Sequence, residues 1–523
     1  MNFVEHTGDS HYKARANKIR SRRLATLEEQ LNQLESNKQM LRWRESRERL
    51  ADDNHRPTYH FSPPENFMND PNGLCQWQGL YHLFYQFRAD GEEHVHWGHA
   101  VSEDLVRWKD LPIALYPDQE NDCFSGQTLV ESDRVIATYH GTQAGNAIAT
   151  ASDPLLIDWQ KHSLNPVIAI VPIDDNGSPY RVFDPCIWKE DDGYYALSGV
   201  FKNGERSVDC VGVDHLFRST DLTNWEYVGE LIAGDFNSEP GEDYAVPNFW
   251  PIGNDRHMLL FFSHKRGGQY FVGNYNRSTH RFTADYHGRL NNGPLAVGSL
   301  HAPSATVDDS GRFLAIFNVK ESRAPQGWSD IMTLPTHFSL RGDNSLVIRP
   351  VDEIQSLRGE RRSAPDCEVA PGEELLLTGV SGNAIELKVT IEPGSAHEVG
   401  LCVLRSGDGE ESTRISFFPK GHPRFGSPLL QIDGTSSSVR NDLIPRPPEI
   451  GPLDIAGDQP VELRVFVDRS IVEVFANERQ CLTLRVYPDR EDSLGVSFFA
   501  RGGTANFTGV EAWQMESIWP ELR

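Results

Sequence analysis

The stretch Asn66-Phe67-Met68-Asn69-Asp70-Pro71-Asn72-Gly73 sets a carboxylate in a rigid frame. Pro71 fixes its own φ and pushes Asp70 towards extended backbone. Asn72-Gly73 signals a turn, and an apolar run, Leu80-Tyr81-His82-Leu83-Phe84-Tyr85, follows. A lone Asp-Pro usually marks a surface turn, but this frame repeats. Pro71, Pro185, Pro247 and Pro303 each stand eight residues before Gly79, Gly193, Asp255 and Gly311, and each of these opens a second apolar run. A weaker copy has Ser125 eight residues before Asp133, ahead of Val135-Ile136-Ala137-Thr138-Tyr139. The five units lie roughly 55 to 62 residues apart. Each reads as strand, polar hairpin and second strand. Short strands repeating at this period predict the blades of a five-bladed β-propeller.

In a propeller, equivalent positions of successive blades meet around the axis. The residues before the repeated Pro or Ser are Asp70, Phe124, Asp184, Val246 and Ala302. Two are acidic, and Glu242 and Asp243 stand on the segment entering the fourth frame. The repeat therefore predicts three or four carboxylates at one mouth. Paired carboxylates beside aromatic rings are the equipment of glycoside hydrolysis.

The chain has 523 residues, enough for two or three domains, and its 38% hydrophobic content can fill a large core. A net charge of −25 argues against nucleic acid and anionic membrane as partners. The seven cysteines are scattered without a CxxC pair, as for free thiols in a reducing compartment. The first residues lack the apolar core of a signal peptide, and no apolar run reaches membrane-spanning length, so a cytoplasmic location is expected. His94, His96 and His99 have no Asp, Glu or Cys at metal-site spacing, so no metal is expected.

Residues 1–10 read as disordered. Residues 11–50 contain neither Pro nor Gly, and Leu24, Leu27, Leu31, Leu34 and Leu41 form a short heptad seam with Lys38 in the missing place. The pattern predicts one long helix. Two readings stand: packing on the helix's own body, or assembly into a homo-oligomer. If it assembles the protein, deleting residues 1–50 lowers the solution mass more than the intrinsic chemistry. The domains are then an N-terminal helical extension and linker over 1–57, a propeller over 58–355, and a connector with a C-terminal β-sandwich over 356–523. In the last of these, alternating runs such as 384–390, 461–467 and 471–476 read as strands and 433–452 as a long loop. The fold class is all-β.

From about His60 to the C-terminus the chain resembles glycoside hydrolase family 32, the invertases, inulinases and levanases. The markers are Met68-Asn69-Asp70-Pro71-Asn72-Gly73, Tyr81–Phe87 (YHLFYQF), Trp97–Trp108 (WGHAVSEDLVRW), Phe124-Ser125-Gly126, Phe183-Asp184-Pro185, Gly327-Trp328 and Leu463–Phe475 (LRVFVDRSIVEVF). The resemblance implies a five-bladed propeller followed by a β-sandwich. It implies a retaining β-fructofuranosidase that needs no cofactor and hydrolyses sucrose or short fructo-oligosaccharides. Asp70 matches the family's nucleophile, which forms a covalent fructosyl-enzyme. Asp184 matches the transition-state stabiliser of the family's Arg-Asp-Pro motif. Asn69, Gln86, Trp97, Phe124 and Ser125 match residues lining the fructose subsite, and Trp328 stands between core and pocket wall.

Two positions depart from the family. Phe183 replaces the usual Arg, with Arg181 two residues earlier as a possible substitute. Ala245 replaces the acid/base Glu, and Glu242 is preferred over Asp243 as the shifted acid because Glu reaches further and titrates closer to the working range. Asp243 is then a binding residue. A fructosyltransferase on the same scaffold and a non-catalytic fructan- or sucrose-binding protein are the alternatives.

Overall fold

The computed structural model describes residues 26–172, 177–202, 209–234, 238–290, 300–421 and 426–519. Five antiparallel sheets follow one another along the chain. Their innermost strands are Phe67–Trp77, Cys123–Val130, Pro185–Glu190, Ala245–Gly253 and Leu300–Val307. Each inner strand packs on the next, and the fifth packs on the first, so the ring of five blades closes. Within each blade the strands run outward in sequence order.

The repeated frame has a structural basis. The register slips between Met68 and Pro71, Cys123 and Gly126, Ala245 and Asn248, and Leu300 and Pro303. A bulge at this position re-aims the residue before the Pro or Ser, and sheets use bulges in this way beside functional sites. The third blade begins at Pro185 itself and runs in unbroken register.

Behind the propeller stands a sandwich of two antiparallel sheets. One runs Arg358–Ser363, Ala505–Met515, Ala384–Glu392, Val461–Asp468, Ile471–Ala476 and Gln480–Arg485, with Cys367–Val369 added to its second strand. The other runs Glu374–Ser381, Gly495–Arg501, Glu398–Arg405, Thr413–Phe418, Leu429–Asp433 and Glu449–Pro452. Alternate residues such as Leu387, Val389, Leu401 and Val403 meet between them, and Phe498 stacks on Phe507 with ring centroids 4.2 Å apart. The stretch expected to be a long loop over 433–452 ends in the edge strand Glu449–Pro452.

The N-terminal extension departs from expectation. In place of one helix there are two, Leu27–Glu35 and Lys38–Arg49, because Asn37 caps the second through its side chain. The capping oxygen accepts from the backbone N–H groups of Gln39 and Met40, which ends the continuous helix at Ser36. The second helix lies on the first blade. Trp43 packs edge-on against Phe87, and Arg47 pairs with Asp110 while its guanidinium lies 3.6 Å over the Trp519 ring. The first helix is held at Gln30, whose amide donates to Asp153 and accepts from Leu155 N–H. Only part of the leucine seam is used: Leu34 is buried, while Leu27, Leu31 and Leu41 are 40, 51 and 43% exposed. Leu24 and residues 1–10 lie outside the described residues.

One carboxylate pins the start of the propeller segment to the sandwich. Asp468 accepts from the backbone N–H groups of Thr58, Tyr59 and His60 and from the His60 ring. Glu473 stands 3.5 Å from the other side of the same imidazole. Burial alone would lower the His60 pKa, but the two carboxylates overcome it and hold it up at about 9.

Candidate active site

Asp70 sits on the bulge of the first inner strand, almost fully buried. Ser125 of the second blade donates to its Oδ2 at 2.6 Å, and Gln86 donates to the same oxygen at 3.3 Å. Gln86 also donates to Ser125 Oγ at 2.7 Å and accepts from Asn69 Nδ2 at 2.8 Å. Asn69 Oδ1 in turn accepts from Lys320 and, at 3.3 Å, from Asn318. On the other side His301 Nδ1 faces Asp70 Oδ1 at 3.3 Å. Burial would raise the Asp70 pKa, but His301, Lys320 and Ser125 outweigh it and hold the carboxyl at about 2. These neighbours favour the anion of Asp70, which suits a nucleophile.

Asp184 is also buried at the head of the third inner strand, and its Oδ2 accepts from Val246 N–H of the fourth blade at 3.2 Å. Phe124 borders the site half-exposed. Trp97 is fully buried, and its indole N–H donates to the Phe124 carbonyl at 2.9 Å. It therefore supports the wall from behind rather than forming it.

Four expected site residues lie in other roles. Glu242 has no exposed surface. Arg289 grips both its oxygens at 2.8 and 2.9 Å, and Gln269 and the Glu239 N–H fill its remaining acceptor positions. Burial raises its pKa, but Arg289 and Gln269 prevail and hold it at about 2. A saturated, ionised carboxylate has no proton to give, so the geometry does not suit Glu242 to the role of acid. Asp243 is turned to His264, accepting from its backbone N–H at 2.9 Å and meeting Nδ1 at 2.8 Å. Arg181 donates to the Pro172 carbonyl and stays on its own loop. Trp328 is fully buried, its indole donating to Asp53, so it belongs to the contact between propeller and sandwich. Phe183 stacks on His140 with centroids 4.7 Å apart.

Three site residues were not anticipated: His301, Lys320 and His264. His301 stands in the fifth frame where Asn69 stands in the first, so the symmetry argument that found Asp70 finds His301 one residue earlier. Lys320 supplies a cation beside Asp70 where Phe183 supplies none. Ala245 itself is buried with Val246, Phe262 and Ala302 in a small apolar floor. The three histidines weighed as metal ligands are divided: His99 faces His82 at 3.0 Å, His96 packs edge-on against Tyr116, and His94 stands 3.7 Å from Asp122.

A closed five-bladed ring with a buried carboxylate held between the innermost strands of neighbouring blades, backed by a sandwich, places the molecule among carbohydrate-active enzymes. The family 32 N-terminal domain of the glycosyl hydrolases matches residues 60–350, and the family 32 C-terminal domain matches residues 353–514. The chain belongs to glycoside hydrolase family 32 and is a glycoside hydrolase acting on O-glycosyl bonds. It is 28% identical to a levanase of Bacillus subtilis over 90% of this chain and 71% of that one. It is 29% identical to beta-fructofuranosidase, insoluble isoenzyme 1, of Oryza sativa subsp. indica over 88 and 90%. The crystal structure of fructan 1-exohydrolase IIa from Cichorium intybus superposes with a TM-score of 0.76 at 25% identity, covering 89% of this chain and 98% of that one.

Proposed function

We propose that this chain is a retaining β-fructofuranosidase that removes terminal β-fructofuranosyl units from sucrose or short fructo-oligosaccharides. The observation that carries the reading is Asp70: a buried carboxylate on the bulge of the first inner strand, held by Ser125 and Gln86 and faced by His301. Asp70 attacks the anomeric C2, the glycosidic C–O bond breaks, and a fructosyl ester forms that water then hydrolyses. Asp184 holds fructose hydroxyls and opposes the positive charge that develops in the transition state. Asn69, Gln86 and Ser125 fix the attacking carboxylate, and Phe124 offers an apolar edge to the sugar. The names of the relatives agree in substrate class: a levanase, a beta-fructofuranosidase and a fructan exohydrolase.

A second reading is favoured by two observations, the apolar floor at Ala245 and the saturated Glu242. It is a binding protein that holds fructosides without cleaving them. Fructose release from sucrose and 1-kestose decides between the two. Turnover that vanishes in Asp70→Asn supports the enzyme, and saturable binding without release supports the binding protein. We also propose a cytoplasmic location, supported by the seven free thiols, and assembly through the exposed leucines of the first helix.

A further inference from the structure

We propose that His264, oriented by Asp243, is the acid and base of the reaction in place of the glutamate whose position Ala245 takes. The inference rests on Asp70 being the nucleophile. Ala245 pairs in register with Phe262, so His264, the first residue past the end of that strand, lies opposite Asp243, two residues before the acid position. The Phe262 ring is 4.8 Å from His264 and 3.7 Å from His301, and the two imidazoles stand edge to face with centroids 6.1 Å apart. His301 in turn touches Asp70. The order across the site is therefore Asp70, His301, His264, Asp243, which puts His264 two contacts from the nucleophile.

Asp243 holds both the backbone N–H and Nδ1 of His264. This fixes the ring and commits Nδ1 to the carboxylate, which leaves Nε2 as the nitrogen that exchanges protons. A carboxylate that orients an imidazole and stabilises its cation is a well-established catalytic pairing. The side chain of His264 is 40% exposed and the carboxylate behind it 2%, so the ring reaches solvent while its partner does not. Imidazole can both give and take a proton, which the paired roles of acid and base require. Other groups around it are His301 on the fifth inner strand and Lys265 in its own turn, whose ammonium donates to the Pro240 carbonyl.

The steps balance. As Asp70 bonds to C2, the C2–O bond to the leaving sugar breaks and that oxygen takes the proton from Nε2, giving a neutral imidazole. Water then loses a proton to Nε2 and attacks C2. The C2–O bond to Asp70 breaks, and the carboxylate and imidazolium are restored.

The test compares two substrates. Sucrose needs a proton on its leaving oxygen, whereas β-fructofuranosyl fluoride departs as fluoride without one, and azide attacks the intermediate without needing a base. His264→Ala is expected to lose 10²- to 10⁴-fold in kcat on sucrose, with the basic limb of its pH profile gone. It should cleave the fluoride in azide within about tenfold of the natural protein, and Asp243→Asn should shift the basic limb without abolishing it. Equal sucrose turnover in His264→Ala would overturn the inference. So would a natural protein that cleaves the fluoride but not sucrose, which would leave the nucleophile in place and show that no acid works beside it. A natural protein inert on both would remove the enzyme reading and this inference with it.

Discussion

Asp70 and Glu242 show that a residue's environment, more than its type, decides what it can do. Both are buried carboxylates held at about 2, but Asp70 sits between the innermost strands of neighbouring blades while all of Glu242's acceptors are spent inside the fourth blade. Asp70→Asn should cut kcat on sucrose by orders of magnitude while leaving the melting temperature within a few degrees, as calorimetry and a fructose assay would record. Glu242→Gln should do the reverse. It strands the Arg289 guanidinium and costs about 3–5 kcal/mol, measurable by urea unfolding, while kcat per folded molecule stays within a few-fold. Lys320 is predicted to act through charge. Lys320→Met removes a cation that holds Asp70 ionised, so the Asp70 pKa rises and the acid limb of kcat/KM moves to higher pH. An unmoved acid limb would count against that role.

At the scale of elements, the blades were legible because the repeat marks a backbone device. The Pro or Ser lies at a bulge in four of the five copies, and the hairpin turn comes eight residues later in all five. The second strand of each blade was readable for the same reason, as an apolar run after the turn. What could not be read were side-chain partners brought together from distant positions in the chain, within a blade or between blades. Arg289 lies 47 positions from Glu242, and no local pattern announces the pair, whereas His301, 231 positions from Asp70, is announced only by its place in the repeat. The helical extension failed differently. Its leucine spacing continues through Ser36-Asn37, but Asn37 gains more by capping a new helix than by continuing the old one. The interrupted seam still carries a prediction. Replacing Leu27 and Leu31 by Glu should lower the solution mass, as read by light scattering, and leave sucrose turnover per active site unchanged. A mass that does not change would assign those leucines to the surface of a monomer.

At the scale of the molecule, propeller and sandwich share a buried interface. The cation of His60 lies between Asp468 and Glu473 with no exposed surface, and Trp328 and Arg485 meet across the same interface. Because His60 titrates at about 9 folded and near 6.5 unfolded, its contribution is complete below about pH 6.5 and lost as pH rises to about 9. The difference corresponds to about 3 kcal/mol. The melting temperature should therefore fall across that window, and His60→Gln should flatten the fall while lowering the plateau. A natural protein whose melting temperature holds constant from pH 6.5 to 9 would show that His60 is not charged.

The hydrogen bond from Ile518 N–H to the Thr58 carbonyl, at 3.1 Å, brings the start of the propeller and the end of the sandwich together, leaving the two packed helices outside the closure. The body is a loop of chain whose opening point is arbitrary. A gene rewritten to join these ends through a few glycines, and to begin instead at a hairpin on the rim of a blade, should encode the same enzyme. Conversely, neither domain can be traded for a foreign one by a single crossover, because each holds one half of the seam.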